Sequence, residues 1–435
     1  IFDWLRILYA RMAYIVRVNG ELSEAFQSTI GVLTGDTGSP FFWILFMADL
    51  RIPVQPGDIR LAGRSIPDVE HADDCAVWGT VRPSVQHHLD HFSGWTRRKG
   101  LLTNVPKTKS MCFGPLPTPS LAEEPFTFDG EDVEWVSKHK YTGITVTSTE
   151  RDIFTLHYRE KGLSAQRVAN VCFAAESMVG SIPPREARIL YLARVDPFLI
   201  SACDVIIDIC LNNLWNLEKV QIRYIRRLLH LRRRSMYHVL YSETGLMPLR
   251  YRRLILALRF LRYLVLLPQR HYARCAFDDS LDLARTGRSG WVGDLAIALG
   301  RLDHPVHFDF MADVTVEVVD GLIEEVEASS EHWVRAVIDN SPKTWLLKDR
   351  VEITKNGKTD TSAILFRHYL HMIIPSHRFA FVDILLSNHS LAIEMLRWQS
   401  RERPYYVPRE WRLCRFCVQV DVHAVEDETH AILQC

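Results

Sequence analysis

Two short stretches of this chain have residue types and spacings suited to metal chemistry. The first is EHADDCAVW at 70–78, where Asp73 and Asp74 stand side by side. Paired carboxylates are hard oxygen ligands. Mg²⁺ takes one or two of them and keeps waters or substrate phosphates in its other positions. The second is C-x2-C-x12-H-x4-C, made by Cys414, Cys417, His430 and Cys435. Three thiolates and one imidazole suit a closed tetrahedral Zn²⁺ site of the structural kind. His423 is a competing ligand, at a position that fits less well. Adjacent aspartates also make an ordinary polar turn, so ADD acquires meaning only from what surrounds it.

The elements that must position the aspartates can be read from periodicity. Val69, Ala72, Cys75, Ala76, Val77 and Trp78 make DVEHADDCAVW a hairpin with its tip at the carboxylates. Upstream, Asn19-Gly20 signals another hairpin, and TGDTGSP at 34–40 is a glycine-rich loop. The apolar run FFWILFMADL follows and predicts a buried helix. IRLAGRSI at 59–66 predicts two short strands around Gly63. Downstream, PSVQHHLDHFSGWTRRKGL at 83–101 has helical spacing. KSMCFG at 109–114 reads as a strand, PLPTPSLAEEP at 115–125 as a loop, and VSKHKYTGITVTS at 136–148 as a hairpin. From 153 to 267 helical patterns dominate. Residues 268–310 are mixed, with an exposed RTGRSG loop, and 311–400 read as helical again.

Lys plus Arg equals Asp plus Glu at 52 each, so the whole chain carries no electrostatic signature. The distribution does. From Leu211 to Arg270, thirteen Lys and Arg face two acids, a local net of +11. From Met311 to Asn340, eight acids face Arg335, a local net of −7. In KVQIRYIRRLLHLRRR at 219–234, Lys219, Arg223, Arg226 and Arg227 recur at helical spacing beside an apolar stripe. One face would pack while the other meets phosphate, setting affinity rather than sequence choice. The acidic block could instead pack against the basic one. No run of eighteen apolar residues exists, which argues against a membrane-spanning helix. Nine scattered cysteines without secretory features suit a reducing compartment.

In order and spacing these blocks resemble the palm of a reverse transcriptase, most closely that of the LINE-type, non-long-terminal-repeat retrotransposons. GELSEAFQSTIGVLTGDTGSPFFWILFMADL is similar to that family's G-x-x-x-G-x-x-x-S-P stretch. IRLAGRSIPDVEHADDCAVW is similar to its strands leading to Ala-Asp-Asp. WTRRKGLLTNVPKTKSMCFG and HKYTGITV resemble its next two blocks, and DETHAILQC resembles the end of its Cys-Cys-His-Cys unit. The resemblance implies an RNA-directed DNA polymerase using Mg²⁺ and deoxynucleoside triphosphates on an RNA template and a DNA primer or target. It implies that Asp73 ligates metal and Asp74 supports it. Gly35 would let backbone approach nucleotide or template, and Ser39 and Pro40 would start the helix behind the site. Lys107 would lie near the triphosphate. Lys219, Arg223, Arg226 and Arg227 would grip the duplex backbone from a helical thumb.

The expected fold is α+β. It comprises a partial palm at 1–148, a helical thumb at 149–270, a helical region at 271–400 and a zinc knuckle at 401–435. Near the knuckle, Arg403, Arg409, Arg412 and Arg415 with Tyr405, Tyr406 and Trp411 could stack on single-stranded nucleic acid. The pattern also breaks. Leu33 and Thr34 replace an Arg-Gln pair, Thr37 replaces a proline, and His71 replaces an aromatic. Asp68 and Glu70 put carboxylates into a strand that should be apolar. The family's first catalytic aspartate lies upstream of the segment matched by residues 8–31. The expectation is therefore a polymerase portion with an incomplete metal cage, inactive or weak alone, in a nuclear or cytoplasmic ribonucleoprotein. The competing readings are a degenerate, non-enzymatic nucleic-acid-binding zinc protein and a helical scaffold.

Overall fold

The computed structural model describes residues 2–27, 31–33, 35–114, 124–232, 235–353, 356–399 and 401–435. Thr34, most of the proline-rich loop (115–123) and Arg233-Arg234 lie outside the described residues. The chain is mixed α+β, 49% helical and 11% strand, so helices carry most of the packing. It divides into two compact units, Ile1–Ser110 with Pro117–Trp135, and Met111–Leu116 with Val136–Cys435.

The first unit strings small elements along the chain. Helix α1 (Phe2–Ala10) precedes hairpin β1 (Arg17–Val18) and β2 (Glu21–Leu22). Helix α2 (Ser39–Met47) is followed by hairpins β3 (Ile59–Leu61) with β4 (Arg64–Ile66), and β5 (Asp68–His71) with β6 (Asp74–Val77). Helix α3 (Arg82–Lys99) starts with a proline in its first turn and ends at Gly100, whose φ of 67° is the left-handed stop only glycine adopts freely. A three-stranded sheet closes the unit, ordered β7 (Lys109–Ser110), β9 (Glu131–Trp135), β8 (Phe126–Phe128). Two small cores result. Leu89, Val105, Phe126, Phe128 and Val133 form one; Met47, Leu50, Ile52 and Trp95 form the other. Val77 and Phe92 pack against both.

Two expectations fail here for one reason. The FFWILFMADL run makes a helix, but Phe41, Ile44 and Leu45 are 60%, 64% and 57% exposed. From Phe41 to Met47 it is apolar all round, while only the Trp43, Phe46 and Met47 side meets a core. Strand β5 is likewise mostly exposed, Val69 included. It belongs to a two-stranded sheet, so only one face is covered.

The second unit has one large core. Hairpin β10 (Lys138–Tyr141) and β11 (Ile144–Thr147) packs on α4 (Thr155–Ala174), with the Thr145 amide donating to His157 Nδ1 at 3.3 Å. After α5 (Pro184–Leu190) comes α6 (Leu211–Leu228), whose Leu214, Leu217, Gln221, Ile225 and Leu228 recur three and four apart and are buried. Its stripe packs against α4, α7 (His238–Thr244) and α8 (Leu249–Leu266). Buried Gln221 donates to Met247 O and accepts from the Leu249 amide, satisfying a donor at the start of α8. Residues 268–310 are more regular than expected, forming α9 (Tyr272–Arg285) and α10 (Trp291–Gly300), with RTGRSG as the turn between them. Helix α11 (Val316–Asn340) lies along α8. Residues 341–374 depart from the helical expectation. They hold short turns and a two-stranded pair, β12 (Glu352–Ile353) with β13 (Thr359–Asp360), because Asn356-Gly357 supplies a turn and a glycine (Gly357, φ 73°) where a helix would need continuity. Helix α12 (Pro375–Leu385) follows.

Candidate metal sites

The cysteine-rich end builds a ligand cluster by local backbone bonding. Leu413 and Val425 form a β-bridge, and the Cys414 amide donates to Ala424 O at 2.8 Å. Two returns, Val418 N to Cys414 O and Val422 N to Cys417 O, wrap the C-x2-C segment around one point. Asp427 Oδ1 accepts from the His430 amide at 3.0 Å, starting a last turn that closes with Cys435 N on His430 O. Cys435 is thereby brought back beside the others.

The four ligand atoms all lie within 4.8 Å of one another. Cys414 Sγ is 3.9 Å from Cys435 Sγ, Cys417 Sγ is 3.8 Å from Cys435 Sγ, and Cys417 Sγ is 3.3 Å from His430 Nε2. Tetrahedral zinc with ordinary bond lengths separates two sulfurs by roughly 3.8 Å and a sulfur and a nitrogen by roughly 3.5 Å. The donor set and these three separations are of the kind a tetrahedral zinc ion takes. The backbone N–H groups of Cys417 and Phe416 point at the Cys414 sulfur and bring its thiol down to about 7. Burial and the neighbouring Cys414 push the Cys417 thiol up to about 11. His423 is exposed and outside the cluster, so geometry selects His430.

Residues missed in the sequence hold this unit to the helices. Glu428, 3% exposed, accepts from His389 Nε2 at 2.8 Å, Trp345 Nε1 at 3.2 Å and Ser387 Oγ at 3.2 Å. Burial pushes its carboxyl up, but the bonds from His389, a backbone amide and Trp345 outweigh it and take it down to about 2. Glu426 accepts from the Ala392 amide at 2.6 Å, and its carbonyl accepts from Ile393 N. Arg412 is buried and donates to Ile393 O and Val407 O. The only available signal was charge beside the ligands in DETH, which sequence reading takes as solvated. Arg409 pairs with Asp427, and Arg403 donates to Met395 O and Trp398 O. Among the four nearby arginines named above, Arg415 stands exposed over the Phe416 ring, while Tyr405, Tyr406 and Trp411 are exposed as well.

The aspartate hairpin forms where the pattern places it. His71 pairs with Asp74, leaving Ala72-Asp73 as a two-residue bend, and both aspartates are exposed. Ala72 has φ 56°, a region that costs a residue with a β-carbon about 1–2 kcal/mol. Trp43 Nε1 donates to the Ala72 carbonyl at 2.6 Å. Register puts Asp68, Glu70, Cys75 and Val77 on the face toward the core. Burial raises the Asp68 carboxyl, and burial together with Asp68 raises Glu70. Burial and the two acids push the Cys75 thiol up to about 12. Asp74 shares the opposite face with His71, Val69 and Ala76. Among the described residues, no group of three metal-binding side chains includes Asp73 or Asp74.

The other residues that the resemblance singled out lie as follows. Gly35 has φ 88° with open space around its α-carbon, so its dihedral requires glycine and crowding does not. Ser39, 7% exposed, donates to Leu33 O at 2.5 Å and pins the loop to the start of α2, where Pro40 occupies the first turn. Lys107 ends a 3-10 turn, its amide on Asn104 Oδ1 and its side chain exposed.

The basic block is paired in part within the second unit. Arg250 meets Glu218, Arg252 meets Asp196, Arg253 meets Asp208, and Arg262 meets Asp320 of α11. The basic and acidic helices thus do pack together in part. Of the four cations expected to meet phosphate, Arg227 is tied to Glu176 and lies over Phe173, and Arg226 donates to Ser235 O. Arg223 is exposed and touches Gln166, while Lys219 reaches Asn216 and the Trp215 ring. Among the described residues no helix is long and apolar enough to cross a membrane. No protein-family model matches this chain, and no curated protein matches it.

Proposed function

We infer that the chain serves RNA-directed DNA synthesis of the LINE type, with the Asp73–Asp74 hairpin as the metal-binding tip of a polymerase palm. The observation that carries this reading is the bend itself: two exposed adjacent carboxylates on a strained, glycine-free turn braced by the helix that follows the glycine-rich loop. Two carboxylates fit the hard-ligand demand of Mg²⁺, which would neutralise charge on the transferring phosphoryl group. Asp73 and Asp74 would hold that ion, and Lys107 would meet triphosphate charge. Lys219 and Arg223 would contact duplex backbone, Arg226 and Arg227 less, since each already has a partner. The Cys414, Cys417, His430 and Cys435 group would hold zinc and fix the terminal unit.

A cage of two carboxylates is short of what two-metal transfer uses. The chain by itself is therefore expected to bind primer-template and to extend it weakly. The test is template-dependent extension with Mg²⁺, comparing the chain with Asp73→Asn/Asp74→Asn. Extension that persists in the double variant would sink the reading. A second reading, a non-enzymatic nucleic-acid-binding zinc protein, is favoured by the contrast between a four-ligand zinc cluster and a two-ligand aspartate tip. RNA binding indifferent to Asp73→Asn, with no extension under any metal, would select it.

A further inference from the structure

Among the described residues, five two-residue hairpins can be compared. Asn19-Gly20, Ala62-Gly63, Asp129-Gly130 and Thr142-Gly143 have positive φ at both central residues, with glycine always second. That is the bend whose twist matches the strands, and glycine carries half of its conformational demand. Ala72-Asp73 differs. Only Ala72 has positive φ, and no glycine stands on either side of the bend. In the other four a residue with a β-carbon also takes positive φ in the first place, Ala62 among them, but a glycine follows it and carries the second. Ala72 has no glycine beside it, so its bend leans on contacts from outside the hairpin.

The holding contact is Trp43. Its indole N–H reaches the Ala72 carbonyl at 2.6 Å across 29 positions of sequence. Trp43 is itself held, since it stacks on Phe46 at 5.6 Å, and Phe46 meets Trp95 at 6.0 Å. Trp95 is 3% exposed and donates to Asp49, which pairs with Lys99. The brace therefore runs from the core of the unit to the tip.

We propose that Trp43 is a positioning residue for the Asp73–Asp74 pair: its indole N–H holds the Ala72 carbonyl and so fixes the bend from which both carboxylates project. The purpose of the brace rests on the polymerase reading; the brace itself rests on the geometry. Trp43→Phe keeps an aromatic ring on Phe46 and removes the donor together with part of the indole's packing surface, for which exchange in α3 is the control. The experiment measures, on the full chain, amide exchange across residues 71–74 and the broadening of those amides by Mn²⁺. Trp43→Phe is expected to speed exchange at 71–74 up to roughly tenfold, the worth of one neutral hydrogen bond, with α3 unaffected. Mn²⁺ broadening at 73–74 should weaken several-fold. Adding Ala72→Gly should slow exchange again, because glycine adopts the bend without a brace. Unchanged exchange at 71–74, or equal acceleration throughout the unit, would overturn the proposal. Absence of Mn²⁺ broadening in the unmodified chain would overturn the metal reading and leave exchange to decide the brace.

Discussion

The two candidate metal sites differ in how many ligands the chain brings together and in what surrounds them. At the cysteine-rich end, four soft donors converge at zinc-like separations, with Cys414 and His430 buried. At the hairpin, two hard donors stand exposed on a two-stranded tip. A structural zinc site must be closed, so every ligand has to be present and packed. A catalytic magnesium site keeps positions for water and phosphate, so exposure is expected, but its rigidity must come from elsewhere. The difference teaches where to look for support. Buried carboxylates around Glu428 frame the first site, and a single indole donor braces the second.

The largest effect should break the closed site. Zinc analysis is expected to find one equivalent, and Cys417→Ser or chelation should release it and unfold residues 412–435. Apparent zinc affinities of about 10–16 kcal/mol in comparable small units make this loss dominant there. Full amide protection of that segment after metal removal would count against a structural zinc.

Next comes the frame around it. Glu428→Ala leaves His389, Trp345 and Ser387 without their acceptor, and about 3 kcal/mol of stability should go, read as a lower denaturant midpoint. The aspartate hairpin lacks such a frame, so Asp73→Ala should shift the midpoint by under about 0.5 kcal/mol. Similar losses from the two substitutions would erase the contrast between the sites.

Acid should act on the second unit through its buried histidines. His157 is held down to about 4, mainly by burial and then by Lys161; His238 is also held down to about 4 by burial. Both are lower than the ordinary 6.5, so the folded chain binds fewer protons than the unfolded one between those values. Their contribution is full above pH 6.5 and disappears as pH falls through 4. His157 alone accounts for roughly 3 kcal/mol of that decline. His157→Gln should flatten the fall in thermal midpoint between pH 6.5 and 4; an unchanged slope would show that burial does not hold this ring neutral.

The smallest effect concerns the basic helix. Arg223→Ala should lower the salt slope of RNA binding by roughly 0.7–0.9, one phosphate contact, whereas Arg227→Ala should change it less because Glu176 already occupies that guanidinium. Equal slopes for the two variants would remove the distinction.

Much of this was legible in the sequence because the determining signals are local. Asn19-Gly20, Ala62-Gly63 and Thr142-Gly143 specify bends by dihedral preference alone, and C-x2-C with a later His-x4-Cys carries its own ligand chemistry. The Asp73–Asp74 tip was legible as a hairpin for the same reason. The hairpin of β8 and β9 went unread, although Asp129-Gly130 carried the same turn signal. The apolar run at 41–50 was misjudged as buried because hydrophobicity records what a helix could bury, not whether a partner reaches it. The basic block misled in the opposite sense. Its charge count was right, but Asp196, Asp208 and Asp320 come from distant positions to pair with three of its arginines.

The sequence by itself determined the α+β character, the bends, the α3 and α6 stripes and the identity of four converging ligands, since each depends on neighbours within a few turns of chain. Only the tertiary structure decided that Glu428 frames the Cys-His cluster, that some arginines of the +11 block face acids, and that Trp43 holds Ala72. Those are pairings between residues 29 to 83 positions apart, or farther. A pattern fixes which groups can pair, but folding brings distant partners within hydrogen-bond reach, and at that range desolvated charges and strained bends depend on them most.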